Sequence, residues 1–381
     1  MKPKFPFGFP QIGEEEIQAA VAVLRSGWLA HGPRVKAFEQ AFAAYLGVKH
    51  AVCVSSCTAA LHLSLLALGI GPGDEVIVPA QTHVATAHAA LFVGAKPVFA
   101  DIDPQTFNIS LDSILRCLTP KTKAIHAVHF AGLPCDMDGI LEIARERGIS
   151  VVEDCAHALG ARLNGRPVGT FGETGCFSFY PIKHITTTEG GMLVTNSDEI
   201  AEKASKQRAF GIDVEAYDRD KPGVYDTPLL GFNYRMTDVE AAIGLAQLKK
   251  AEPMIKRRIA NASALSSELE NVPGIRLPSC PPGRRHAYLF YQLWLGEDFP
   301  LSRDAFAQHL KQNGVGTSIY YALPVHLMSF YRKKYGTKEG ACPVAEEAAA
   351  RTLALPVHPQ LGNKEMAHIA GLIKAAARDE K

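Results

Sequence analysis

Short apolar runs of β type alternate with amphipathic stretches through the first half of this chain, and that alternation constrains the fold more than any other feature. HAVCVSS (50–56) precedes TAALHLSLLALGI (58–70), and EVIVPA (75–80) precedes TAHAALFVG (86–94). PVFADID (97–103) precedes LDSILRCL (111–118), and AIHAVHF (124–130) precedes MDGILEIARERG (137–148). SVVEDCAHA (150–158) then leads towards CFSFYP (176–181). Strands and helices taking turns, punctuated by Gly, Pro and Asp, build a parallel sheet with helical crossovers. The strand runs are apolar on both faces, as a sheet covered on both sides requires. The predicted class is α/β, a mostly parallel sheet wrapped by helices.

The flanks read differently. Residues 13–47 carry two helical patterns, EEEIQAAVAVLRSG and RVKAFEQAFAAYLG, with Gly27 and Gly47 as C-caps. Beyond MTDVEAAIGLAQLKK come long helical segments (236–270), the β-like HAYLFYQLWL, and the helical SRDAFAQHLKQNG and EMAHIAGLIKAAARD. That texture predicts a large domain with an N-terminal arm over 1–245 and a smaller α+β domain over 246–381. Residues 211–230 form the longest polar loop, of a length that is often functional or interfacial.

Composition excludes several classes. Lys plus Arg number 40 against 39 Asp plus Glu, a formal charge of +1, and the densest basic run is KRR at 256–258. A nucleic-acid partner needs a basic face, so none is expected. The most apolar region, 51–71, is interrupted by Ser, Thr and His and reads as strand plus buried helix, not a membrane span. MKPKFPFGFPQIGEEE offers no h-region for a signal peptide. The eight cysteines, at 53, 57, 117, 135, 155, 176, 280 and 342, form no CxxC pair and read as reduced core thiols of a cytoplasmic protein.

Ligands of open parallel sheets sit beyond the carboxyl ends of the strands. Asp154 stands there, as a metal ligand, a base, the partner of a protonated heterocyclic nitrogen, or a helix N-cap. Ser55, Ser56, Cys57 and Thr58 occupy a strand-to-helix turn, either an anion site or simple capping. Neither GxxxxGK[ST] nor GxGxxG occurs, which argues against nucleotide hydrolysis and dinucleotide binding. His126 and His129 are three apart on a strand and face opposite sides, so no shared metal is expected. Lys183 follows the apolar CFSFYPI, a poorly hydrated setting that lowers an amine's pKa and suits it to a Schiff base. A strand-end carboxylate, an anion turn and a desolvated lysine are the parts a pyridoxal phosphate site needs.

At this level of detail the chain resembles the DegT/DnrJ/EryC1/StrS sugar aminotransferases, which have the aspartate-aminotransferase fold (fold type I of pyridoxal-phosphate-dependent transferases). The resemblance covers nearly the whole length. It runs from IGEEEIQAAVAVLRSGWLAHGP through GDEVIVPAQTHVATAHAALFVGAKPVFADID, VHFAGLPCDMDGI and VVEDCAHALGA to GCFSFYPIKHITTTEGGMLVT, GFNYRMTDVEAAIGLAQL and TLALPVHPQL. It implies that Lys183 is the Schiff-base lysine and proton carrier, and that Asp154 is the partner of the pyridine nitrogen. It implies that His83 stacks on the cofactor and that His157 reaches its phenolic oxygen. Ser56, Cys57, Thr58 and Ser178 match the phosphate cradle. Cys57 stands where Gly or Ala is more usual. Asn233 matches a residue reaching the phosphate of the neighbouring subunit, so a homodimer with shared active sites is implied.

The implied reaction takes an amino group from a donor, glutamate, through the PLP and PMP forms to a keto group of a nucleotide-linked sugar, such as a 4-keto-6-deoxy hexose. Amino-sugar biosynthesis of the kind that supplies lipopolysaccharide is the implied setting. Trp28, His31, Glu189, Tyr320 and His326 are candidates for gripping the substrate; Tyr320 stands where the family often has His. No metal is implied. One branch of the family has histidine in place of the lysine and dehydrates keto sugars, and His184 lies beside Lys183. Counting from FSF places Lys183 in the catalytic slot, which favours transamination over that dehydratase. A cofactor-binding regulator without turnover is the non-enzymatic alternative, and an intact pair of Lys183 and Asp154 argues against it.

Overall fold

The structure is a computed structural model that describes residues 3–214 and 221–378. In chain order the strands are β1 (His50–Val54), β2 (Glu75–Pro79), β3 (Lys96–Ala100), β4 (Thr122–Val128) and β5 (Ser150–Asp154). A short hairpin, β6 (Arg162–Leu163) and β7 (Arg166–Pro167), precedes β8 (Thr174–Ser178) and β9 (Gly191–Thr195). The rest are β10 (Ile275–Arg276), β11 (Arg284–Arg285), β12 (Tyr291–Leu295) and β13 (Thr352–Leu355).

The main sheet has seven strands in the order β1-β9-β8-β5-β4-β2-β3. Pairings among β8, β5, β4, β2 and β3 are parallel, and β9 runs antiparallel to both β8 and β1. The mostly parallel α/β sheet expected from the sequence is therefore present. β2, wholly buried as EVIVP, shows why the strand runs lack alternation: both faces are covered by helices. The helix Cys57–Ala67 has nine buried residues out of 11 because it packs against β8, β9 and the helices Val84–Phe92 and Asp198–Arg208.

Gly27 and Gly47 end the helices Glu14–Ser26 and Pro33–Leu46 at φ 75° and 73°, the left-handed conformation that glycine adopts without strain. The segment 236–270 is one continuous 32-residue helix, Asp238–Leu269, opened by a capping box between Thr237 and Glu240. The expected division at 245/246 falls inside that helix. Its carboxyl half places Ala262, Leu265 and Leu269 in a core shared with the antiparallel sheet β10-β12-β13 and the helices Arg303–Gln312 and Asn363–Ala376. The β6–β7 hairpin was not anticipated, although Asn164-Gly165, both at positive φ, is a strong hairpin signal. Of the polar loop 211–230, residues 215–220 lie outside the described residues. No described helix is long and apolar enough to cross a membrane.

Candidate active site

A cavity of about 480 Å³ opens at the carboxyl edge of the main sheet. It brings together Ser56, Cys57, Thr58, His83, Asp154, His157, Ser178, Lys183, Glu189 and Tyr320 from the sequence candidates. Sheet topology explains this: β1, β2, β5 and β8 all end at the same edge, and antiparallel β9 begins there. Trp28, His31, Asn233 and His326 are not in its wall.

Asp154 ends β5 and is buried. Its Oδ2 accepts from the Thr86 hydroxyl at 2.8 Å, and its Oδ1 accepts from the Ala156 N–H at 3.1 Å. The Cys57 sulfur lies 4.0 Å from Oδ1, so the thiol, and not only the backbone of residue 57, faces the site. No helix follows Asp154, which removes the N-cap alternative.

Ser56 caps the helix Cys57–Ala67: its Oγ accepts from Ala59 N–H at 3.1 Å and its carbonyl from Ala60 N–H. The N–H groups of Cys57 and Thr58 keep no partner among the described residues, and they sit at the positive end of the helix dipole. The turn is held tight by Gly191, where an added Cβ would lie 2.4 to 2.6 Å from Ser56 and Cys57 backbone atoms. Gly190 adopts φ 151° with Thr187 Oγ1 against it, so the glycine pair after Glu189 answers two separate demands.

Lys183 follows β8 and lines the cavity. Burial lowers its amine from 10.5 to about 8, while the neighbouring Cys57 and Asp154 pull it the other way. His184 behaves differently. Its Nε2–H donates to the Ala287 carbonyl at 3.1 Å, and it lines not this cavity but a second small cleft with Gln247, Met254 and Arg258, to which Lys183 also contributes. His157 is buried between Phe130, Phe290 and Tyr320, and burial, then the Lys183 charge, hold its pKa well below the usual imidazole value. Its Nδ1 is buried without a hydrogen-bond partner among the described residues. His83, at the mouth, caps the helix Val84–Phe92 through Nδ1 and meets Tyr321 edge-on, with its pKa lowered by burial and then by Lys183.

The other candidates have different surroundings. His31 Nε2 lies 3.1 Å from Arg208, which also binds Glu39 and the Cys53 carbonyl, and the exposed Trp28 indole donates to the His31 carbonyl. His326 is buried and donates to Glu346 at 3.0 Å. Asn233 accepts from Arg235 and bridges to Ala209 on the chain's outer side. His126 and His129 do part company: His126 donates to the Thr86 carbonyl, and His129, just past β4, donates to Glu153.

His129, Glu153 and Cys155 form a compact buried trio with metal-ligating atom types. Its lone pairs are committed, because Glu153 also accepts the N–H groups of Gly169, Phe171 and Gly172, and His129 Nδ1 accepts that of Cys135. Sequence reasoning missed Thr86, Thr82 and Tyr321, which line the cavity. Thr86 was findable, since it lies one turn after His83 on the same helix face.

These parts fit pyridoxal phosphate: an anion-binding helix terminus, a carboxylate and a desolvated lysine around one cavity, and an orphaned buried imidazole nitrogen in its wall. Comparison with known proteins agrees. The model of the DegT/DnrJ/EryC1/StrS aminotransferase family matches residues 10–374. The chain is 41% identical over 366 residues to the spore coat polysaccharide biosynthesis protein SpsC of Bacillus subtilis, covering 95% of this chain and 94% of SpsC. It resembles the aminotransferase TlmJ from Streptoalloteichus hindustanus with a TM-score of 0.90 and 38% identity, over 98% of each chain. It resembles Spr1654 from Streptococcus pneumoniae, solved in a PMP form, with a TM-score of 0.92 and 30% identity over 98% of this chain and 99% of that one. Spr1654 is also known in a PLP form, so the expected cofactor is borne out at the level of the family. By sequence and by fold, the chain belongs to the DegT/DnrJ/EryC1/StrS aminotransferase family.

Proposed function

We propose that this aminotransferase moves an amino group from glutamate to a keto group of a nucleotide-linked sugar. One observation carries the choice of transamination over dehydration: Lys183 lines the cavity with Asp154, whereas His184 is turned away and bonded to Ala287. The sugar class is supported by the polysaccharide-biosynthesis relative SpsC.

Bound pyridoxal phosphate would supply the electron sink for chemistry at the carbon bearing nitrogen. Lys183 Nζ would hold the cofactor's aldehyde carbon and the proton exchanged with the substrate carbon, a task suited to an amine lowered to about 8. Asp154 keeps the ring nitrogen protonated. The N–H groups of Cys57 and Thr58 and the hydroxyls of Ser56, Thr58 and Ser178 hold the phosphate. His83 would lie against the ring, and neutral His157 would meet the phenolic oxygen. Glu189 and Tyr320 contact the sugar at the mouth; Trp28, His31 and His326 are not assigned to the cavity of their own chain. Asn233 reaches the phosphate of a second copy, which makes a homodimer the working unit. Eight free cysteines, seven of them buried or partly so, suit a cytoplasmic enzyme.

The test is amino transfer from glutamate to UDP-, GDP- and dTDP-linked 4-keto sugars, followed by mass spectrometry of the product. Amination of at least one acceptor by wild type and by His184→Asn, and of none by Lys183→Ala, is expected. Loss of one water from the sugar without gain of nitrogen would replace the proposal with the dehydratase.

A further inference from the structure

Asp154 is held by a chain of hydroxyl groups that the cofactor motif does not include. Thr86 Oγ1 lies 2.8 Å from Asp154 Oδ2 and also 2.8 Å from Thr82 Oγ1. A carboxylate only accepts, so the Thr86 proton points at Asp154 and its lone pair is filled by the Thr82 proton. The direction Thr82 to Thr86 to Asp154 is therefore set by the negative charge at its end. Hydrogen bonds in such a chain strengthen one another where water is excluded, and both threonines are at least 99% buried.

The backbone under this chain is pinned as well. His126 Nδ1–H donates to the Thr86 carbonyl at 3.1 Å. The register pairs Val128 with Asp154 and His126 with Val152, so His126 lies on the same sheet face as Asp154, two residues below it. Burial keeps that imidazole neutral, lowered to about 4, so it donates through Nδ1 without adding a charge beneath the carboxylate.

We infer that Thr86, supplied by Thr82 and anchored by His126, is a positioning residue that orients the Asp154 carboxylate, and so decides how firmly a cofactor's ring nitrogen keeps its proton. The inference rests on Asp154 being the partner of that nitrogen. Other titratable groups close to Asp154 are Lys183, His83, His126, Tyr321 and the thiols of Cys57, Cys155 and Cys176. All remain in place in threonine variants, so a difference between variants isolates the hydroxyl.

The experiment uses the holoenzyme loaded with pyridoxal phosphate labelled at the ring nitrogen, whose chemical shift is followed against pH. Loss of the hydrogen bond that aims the carboxylate at the ring nitrogen predicts that Thr86→Val releases the ring proton about one pH unit lower than wild type. Thr86→Ser, which restores the hydroxyl, should titrate as wild type does. Thr82→Val should shift in the same direction by less. A Thr86→Val titration superimposable on wild type overturns the inference; should that variant not fold, an unshifted Thr82→Val overturns it instead. Asp154→Asn separates the two layers. If it leaves the titration unchanged, the role of Asp154 fails; if it shifts the titration and Thr86→Val does not, only the threonine relay fails.

Discussion

Replacing Gly191 by alanine probes the phosphate turn without touching a polar group. The added Cβ would stand 2.4 Å from the Ser56 carbonyl carbon, 2.5 Å from Cys57 N and 2.6 Å from Ser56 O, where ordinary contact begins at 3.4 Å. Gly191 is paired with Val54 on one side and Ser178 on the other, so β9 has little freedom to retreat. The turn that opens the helix Cys57–Ala67 must move by about 1 Å instead, a displacement able to cost a positioned site up to about 100-fold. Pyridoxal phosphate affinity should therefore fall at least tenfold, with an overpacking cost of about 1–3 kcal/mol in stability. Fluorescence titration of the apoenzyme gives the first quantity and urea unfolding the second. Gly165→Ala, with open space around its Cβ position, is the control for stability alone. Wild-type cofactor affinity in Gly191→Ala would refute the claim that this turn is set by that close approach.

Four further outcomes follow from the same geometry. Because the Lys183 amine is lowered from 10.5 to about 8, the unfolded chain binds the extra proton between those values. Apoenzyme stability should therefore rise with pH from about 8 to 10.5, by up to about 3 kcal/mol, and Lys183→Met should flatten the rise in urea midpoints. Cofactor loading, which needs the neutral amine, should accelerate as pH passes through about 8 in stopped-flow absorbance. Glu153→Gln should cost about 2–4 kcal/mol by chemical denaturation, since an amide oxygen cannot serve the three N–H groups and His129 that the buried carboxylate accepts. His184→Asn should retain transfer within a few-fold while losing about 1 kcal/mol of stability, because its one hydrogen bond is to Ala287.

Local signals in the sequence carried far, and their limits are physical. Strand runs were legible because a doubly covered sheet needs unbroken apolar stretches, and Gly27 and Gly47 because only a residue at ease with positive φ ends those helices cheaply. That Lys183 and Asp154 would share one cavity was legible from strand-end position together with a family pattern. Strand order was not: the pairing of antiparallel β9 with β1 joins residues more than 100 apart, which leaves no periodicity. The same applies to the contact that Thr86 makes: its place near His83 was readable, but only β5 brings Asp154 beside its hydroxyl. His326 shows the converse. Its place in YYALPVH suggested substrate contact, but Glu346 reaches it from a helix 20 residues on.

The central claim is that Lys183 is the group that takes the cofactor. The direct measurement is borohydride reduction of the yellow holoenzyme followed by peptide mapping, with the visible band recorded before and after glutamate. A pyridoxyl mass on the peptide containing Lys183, and a band that glutamate bleaches, are expected. A protein that binds the cofactor yet yields no adduct at Lys183, with the band indifferent to glutamate, would contradict it.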